Sequence, residues 1–472
     1  MHYETYKNLP PLAGLCRLDE AMLPGLSVES CVARLKRFYF VFKNLHQMFI
    51  ARMTAEPIYE LKMGFSLHSH YCIEHASSLR KRVGEMREPP LGLDKIPHPD
   101  LQRLIDEVMG TPTTEELLLG IYEVILPALK AGLIGHIRDT NHLVDQPSVR
   151  VCKFALLEID EMINYGSECV TQLLLPDRRT ETSGWVDYLH CLLASAGGLD
   201  GESESKPHNL APCYSAKPFQ YDSRPQRDER FQDPYNMGVN AEAFLYNEEF
   251  PPEPKTLMMF YKRLREIDVP EMMASIIHET KDKPWDYYRD LTRQLWDEAR
   301  HAMMGEVGFI NLGLDWRKVM VNFTWSFALN SQLKPIERHA VLYFIEQGLM
   351  SKTGKRFEWE VGLASKNPLA GLFQDYDWAD EVLHAKIGRD WYVKQFSTPT
   401  EAVEYGDLCW SRVLLGWESW REEGLTTHRN WWPEVYTAAC KQWGIAPDPK
   451  VLNYNTTYQT IRADLRNISV SA

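Results

Sequence analysis

Apolar residues return every three or four positions through most of this chain. That period keeps one face of a helix apolar. It predicts helices over 29–54, 57–86, 114–137, 147–175, 256–281, 285–310, 318–350, 369–396 and 399–420. No stretch alternates apolar and polar residues between hairpin turns, as a half-buried strand would. Pro112, Pro147, Pro284, Pro335 and Pro368 stand at expected helix starts. A residue with a fixed φ and no N–H is tolerated there. The expected fold class is all-α.

The pattern lapses between 197 and 255. That stretch carries Gly-Gly, Glu-Ser-Glu-Ser and eight prolines. It is long for a structureless loop inside one domain and reads as an interdomain linker. Phe219, Tyr221, Phe231, Tyr235, Phe244 and Tyr246 would pin it to a surface. The expected division is 1–196, a helical domain; 197–255, the linker; 256–424, a second helical domain; and 425–472, a helix around Trp431-Trp432-Pro433 and a tail.

The two sides of the linker share spacings. Glu123 and Glu158 are 35 residues apart, as are Glu346 and Glu381. Pro57 precedes His75-Ala76 much as Pro284 precedes His301-Ala302. These echoes suggest a duplicated bundle whose first copy has drifted.

Composition narrows the function classes. At 472 residues the chain can hold two or three domains. A net charge of −13, with no basic run, argues against a nucleic-acid surface. Leu117–Leu126, among the longest apolar stretches, is too short to span a bilayer, so no membrane span is expected. The N-terminal residues show no apolar signal region. Nine cysteines without a C-x-x-C pair suit reduced thiols, and a cytoplasmic location is expected. The 14 Trp and 22 Tyr fit heavy aromatic packing in a helical core.

The chemistry sits in two matching stretches. Asp297-Glu298-Ala299-Arg300-His301-Ala302 is followed by Gly305, and Asp380-Glu381-Val382-Leu383-His384-Ala385 by Gly388. Residues i and i+3 share a helix face, so each stretch aims a carboxylate and an imidazole at one point. Two such helices, with one Glu from each of two others, make a carboxylate-bridged dimetal site in a four-helix bundle. Symmetry about the turn at Pro284 places the partner of Glu298 near 270. Glu271 is preferred there, with Glu266 and Glu279 as alternatives. Asp268-Val269-Pro270 also allows a helix start or kink, which would make Glu271 a first-turn acid. For Glu381 the partner is Glu346 or Glu358, and the echoed spacing favours Glu346. The expected ligands are therefore Glu271, Glu298, His301, Glu346, Glu381 and His384. Four acids buried without a cation would repel one another and be driven to protonate. Oxygen and nitrogen donors suit Fe and Mn. Asp297 and Asp380 are expected to orient the imidazoles, each Asp serving the His of the other stretch.

Asp297-Glu298-Ala299-Arg300-His301 resembles the signature of the ferritin-like diiron-carboxylate superfamily, which acyl-carrier-protein desaturases and bacterial multicomponent monooxygenases carry twice. The second stretch departs from it, with Leu383 in place of the Arg. The resemblance covers roughly 256–396. It implies a ferritin-like four-helix bundle with two Fe, or Mn and Fe, that activates O2 to oxidise a small organic substrate. A reductase and a second copy of the chain are candidate partners. The drifted first copy has Cys72 where E-x-x-H needs its Glu, and Glu161 in place of the second His. It is expected to be structural, with His68, His70, Glu74 and His75 a polar face. A ferroxidase, or a helical interaction protein with a relic site, are the alternatives. His278-Glu279 begins the zinc-protease pattern H-E-x-x-H, but Asp282 stands where its second His should be.

Overall fold

The computed structural model describes residues 3–87, 92–205, 210–350 and 354–457. Among them there are helices and no strand. The chain divides into two compact units. The first holds Met1–Phe49 and His68–Tyr221, and the second holds Ile50–Leu67 and Asp222–Ala472.

Four long helices form most of the first unit: α1 (Val28–Met53), α2 (Tyr59–Glu85), α3 (Thr114–Asp139) and α4 (Gln146–Leu173). Side chains tie them pairwise. Arg34 of α1 pairs with Asp139 of α3 at 2.9 Å. Phe42 and Phe49 of α1 pack on His75 and His68 of α2. Arg82 of α2 donates to Ser148 of α4 at 2.9 Å. The tip where α1 ends and α2 begins belongs to the second unit. α3 contains a π-helical stretch, Leu119–Ile125, and continues through Pro127. Its 26 residues are long and apolar enough to cross a membrane by length and composition, although 67% of its most apolar window is buried inside the protein. The apolar run Leu117–Leu126 is only part of this helix, which extends it at both ends.

In the second unit the principal helices are α5 (Pro252–Arg265), α6 (Asp268–Glu279), α7 (Trp285–Asn311), α8 (Pro335–Leu349), α9 (Lys355–Ala364), α10 (Pro368–Trp391), α11 (Pro399–Leu414) and α12 (Trp432–Trp443). α6 touches α7, α7 touches α10, α10 touches α8, and α8 touches α6. α5 lies along α7, and α9 along α10. The helix expected over 256–281 is broken at Glu266 and Ile267. Pro270 has no N–H to offer, and its ring collides with the carbonyl four residues back, that of Glu266. The helix expected over 318–350 starts only at Pro335. Before it come a short π-helical turn, Thr324–Ala328, and a single helical turn, Leu329–Gln332.

Residues 222–251 are mostly irregular yet pinned. Phe231, Met237, Val239, Phe244 and Leu245 are buried. Trp431 and Trp432 at the start of α12 are almost fully buried beside Phe244 and Tyr436, within the same core. The tail beyond residue 457, and 206–209 of the expected linker, lie outside the described residues.

Candidate metal centre

The repeated D-E-x-x-H-A-x-x-G stretches fall on α7 and α10 with their apolar and chemical residues on one inward face. Glu298, His301, Ala302 and Gly305 are buried, as are Glu381, His384, Ala385 and Gly388. The glycines explain how close the neighbours come. A Cβ on Gly305 would lie 2.1 Å from the backbone nitrogen of Leu264, so α5 crosses α7 backbone against backbone. A Cβ on Gly388 would lie 2.4 Å from the ring of Tyr343 on α8. Both approaches press a helix that bears E-x-x-H onto a neighbour that brings one Glu inward, Glu266 just past α5 and Glu346 on α8.

Two groups of donor atoms result, each gathered within 4.8 Å. One is Glu266, His301, Asp377 and Glu381; the other is Glu298, Glu346, Glu381 and His384. Glu381 belongs to both. Glu298 also stands between them, with Oε1 3.1 Å from His384 Nδ1 and Oε2 3.6 Å from His301 Nδ1. One buried polar atom each of Glu266, Glu298, His301, Glu346, Glu381 and His384 makes no hydrogen bond. Buried polar atoms are rarely left so. Six of them converging from four directions is the arrangement a pair of cations would satisfy.

The far nitrogens of the two imidazoles are held crosswise. His301 Nε2 lies 3.2 Å from Asp380, and His384 Nε2 lies 3.4 Å from Asp297. Each Nδ1 is thereby turned toward the carboxylates, the usual way a carboxylate orients a metal-binding imidazole. The single Arg300 donates to both Asp297 and Asp380, at 2.8 Å for the latter. One guanidinium therefore serves both stretches, and the second stretch manages with Leu383.

Electrostatics divide the acids. Burial, reinforced by the charges of Glu381 and Glu298, pushes the Glu346 carboxyl well above the usual carboxylate range. Burial also opposes ionisation of Glu381, but Lys355 and His384 hold it well below that range. Burial disfavours a charged His301, yet Asp380, Glu266 and Glu298 raise it to about 10. His384 is raised in the same way by Asp297, Glu298 and Glu381. A cation at either Nδ1 would displace a proton.

Of the six residues expected as ligands, five come together: Glu298, His301, Glu346, Glu381 and His384. Glu271 does not. It is buried on α6 in ion pairs with Lys62 and Arg227, 3.0 Å from the latter. Glu266, five residues earlier and at the break before α6, stands with these five instead. Five residues along a helical path turn through well over a quarter-circle, so the two acids face different neighbours. Glu358, the alternative to Glu346, is buried against Lys262 and accepts from Gln374 at 2.9 Å. Glu337 caps the first turn of α8 through the Lys334 N–H at 2.8 Å.

Three contributors were not expected: Asp377, Lys355 and Arg263. Asp377 stands four residues before Glu381, as Gln294 stands four before Glu298, which puts both on the ligand face. That offset was the available signal. Lys355 and Arg263 gave none, because they arrive from other helices. In the first unit His75 Nε2 lies 2.6 Å from Glu158, and His68 Nδ1 lies 2.7 Å from Tyr122. Neither histidine belongs to a candidate metal group among the described residues.

No family model, no curated protein and no solved structure matches the chain.

Proposed function

We propose that the second unit carries a dinuclear metal–carboxylate centre in a ferritin-like bundle of α6, α7, α8 and α10, with the end of α5. Its proposed activity is O2-dependent oxidation of a small organic substrate. The observation that supports this most is the convergence of six buried donor atoms that lack hydrogen bonds. Two carboxylates, Glu298 and Glu381, stand in positions to bridge. Two Fe ions, or Mn and Fe, would supply the electrons for dioxygen chemistry, and oxygen and nitrogen donors suit both metals.

The chain's own residues divide the remaining work. Asp380 and Asp297 fix the ring orientations of His301 and His384. Gln294 donates to Glu346 Oε1 at 3.1 Å and sets the direction of that carboxyl. Burial and the charges of Glu381 and Glu298 oppose ionisation of Glu346, a cost that a bound cation would offset. A cavity of about 60 Å³ opens onto Glu298, Glu346 and Glu381, with Val269, Trp325, Leu342, Ile345 and Leu349 forming its apolar side. Its size admits dioxygen and the end of a small substrate, and its apolar wall limits water. Electrons would come from a separate reductase.

The test is Fe and Mn quantification on protein produced with both metals, followed by anaerobic reduction and rapid mixing with O2. About two ions per chain and a transient visible chromophore are expected. Glu298→Ala and Glu381→Ala should each abolish the chromophore. Its survival in both variants would overturn the proposal. Iron uptake far beyond two ions per chain would instead mark a ferroxidase.

A further inference from the structure

The two groups of donors share Glu381 but differ in the cations beside them. Lys355 Nζ lies 2.8 Å from Asp377 Oδ2 and 2.8 Å from Glu381 Oε1, and its side chain is 1% exposed. Arg263 pairs with Asp377 and, at 2.8 Å, with Glu266. The Glu266–His301–Asp377–Glu381 group thus already contains two positive charges. On the other side, Glu298 and Glu346 make no ion pair with Lys or Arg among the described residues. Their neighbour Gln294 is neutral. The residue four before each E-x-x-H is Gln294 on one helix and Asp377 on the other, so the near-symmetry breaks at a position that decides local charge.

We propose that the Lys355 ammonium keeps the place of the second ion. The Glu298–Glu346–Glu381–His384 position loads first and tightly. The Glu266–His301–Asp377–Glu381 position, with Asp377 as a further ligand, accepts a divalent cation only as Lys355 leaves Asp377 and Glu381. A divalent cation and an ammonium cannot share two carboxylate oxygens without strong repulsion in a buried site. Lys355 has somewhere to go. It is the first residue of α9, on a long flexible stem, and Glu358 lies three residues on along the same helix face. The inference rests on the dinuclear reading and adds an order of loading and a residue that controls it.

Anaerobic titration with Mn(II), followed by calorimetry and electron paramagnetic resonance, tests it. In the unaltered protein the first equivalent should bind tightly and give an isolated Mn(II) spectrum. The second should bind at least about tenfold more weakly, given one buried charge in competition. Lys355→Gln and Lys355→Met should bring the second affinity toward the first and produce an exchange-coupled spectrum at two equivalents. His384→Ala should lose the tight ion, whereas His301→Ala should keep it; this arm does not depend on the Lys355 variants folding. Two equally tight ions in the unaltered protein, or an unchanged second affinity in folded Lys355 variants, would overturn the gating while leaving the dinuclear reading standing. No Mn(II) bound by the unaltered protein would overturn both.

Discussion

At the scale of single residues, the centre depends on where each acid finds its counter-charge. Glu298 and Glu381 carry no surprise, because a carboxylate three residues before an imidazole must share its helix face. Glu271 and Glu266 show what that reasoning omits. Five residues apart, Glu271 turns to Lys62 and Arg227 while Glu266 turns to His301, 3.4 Å away. The two acids should therefore fail differently. Glu271→Gln should leave metal stoichiometry unchanged and destabilise the fold by about 3 kcal/mol, since it leaves the buried Lys62 without its carboxylate while Arg227 keeps Asp268. Glu266→Gln should weaken the binding of one ion with little loss of stability. Metal analysis and urea unfolding of both variants separate these outcomes, and loss of metal in Glu271→Gln would return that residue to the site.

At the scale of helices, the decisive features are small residues and one proline. Pro270 forces the break that delivers Glu266, and Gly305 lets α5 lie against α7. Gly305→Ala should cost about 2 kcal/mol or more, because the added methyl meets the Leu264 backbone and neither helix can yield without moving its neighbours. It should also weaken metal binding, since Glu266 follows Leu264 closely. Gly348 provides the control. It lies near the end of α8 with nothing within 4 Å of an added Cβ. Gly348→Ala should be neutral or stabilise by up to about 1 kcal/mol, as glycine is a poor helix residue. Thermal unfolding of the pair compares a packing glycine with a permissive one. Helix positions were largely legible from periodicity, and Pro335 marked the start of α8. The break at Glu266 was legible only as a helix start or kink, because proline states that a helix is disturbed and not which way the chain then turns.

At the scale of the whole molecule, the division into units follows contacts that no local pattern records. Residues 50–67 belong with the second unit although they join two helices of the first. The aromatic residues in the irregular stretch hinted at anchorage, and Phe231 and Phe244 are indeed buried. The first unit also sets an acid limit. His46 and His68 are buried, which lowers both to about 3, and the charge of His70 adds to the effect on His46. A histidine depressed in the folded state takes up its proton mainly on unfolding. Its contribution is full above the ordinary histidine range and falls as pH drops from about 6.5 toward 3. Unfolding between pH 6 and 4.5 should therefore become easier by up to about 1.4 kcal/mol per pH unit for each group. His68→Gln should remove about one proton from the slope of stability against pH, measured by urea unfolding at a series of pH values. An unchanged slope would show that His68 is already charged in the folded protein.

The sequence by itself determined the helical class, the two helices that carry E-x-x-H, and the inward face on which Glu298, His301, Glu381 and His384 lie. Those properties follow from a 3.6-residue repeat, which is local. Only the tertiary structure decided that Glu266 and not Glu271 lies in the donor cluster, that one Arg300 serves both aspartates, and that Lys355 and Arg263 enter that cluster. Each of these depends on how one helix is rotated and translated against another. Periodicity fixes the direction of a side chain relative to its own axis and leaves open which neighbour that direction meets.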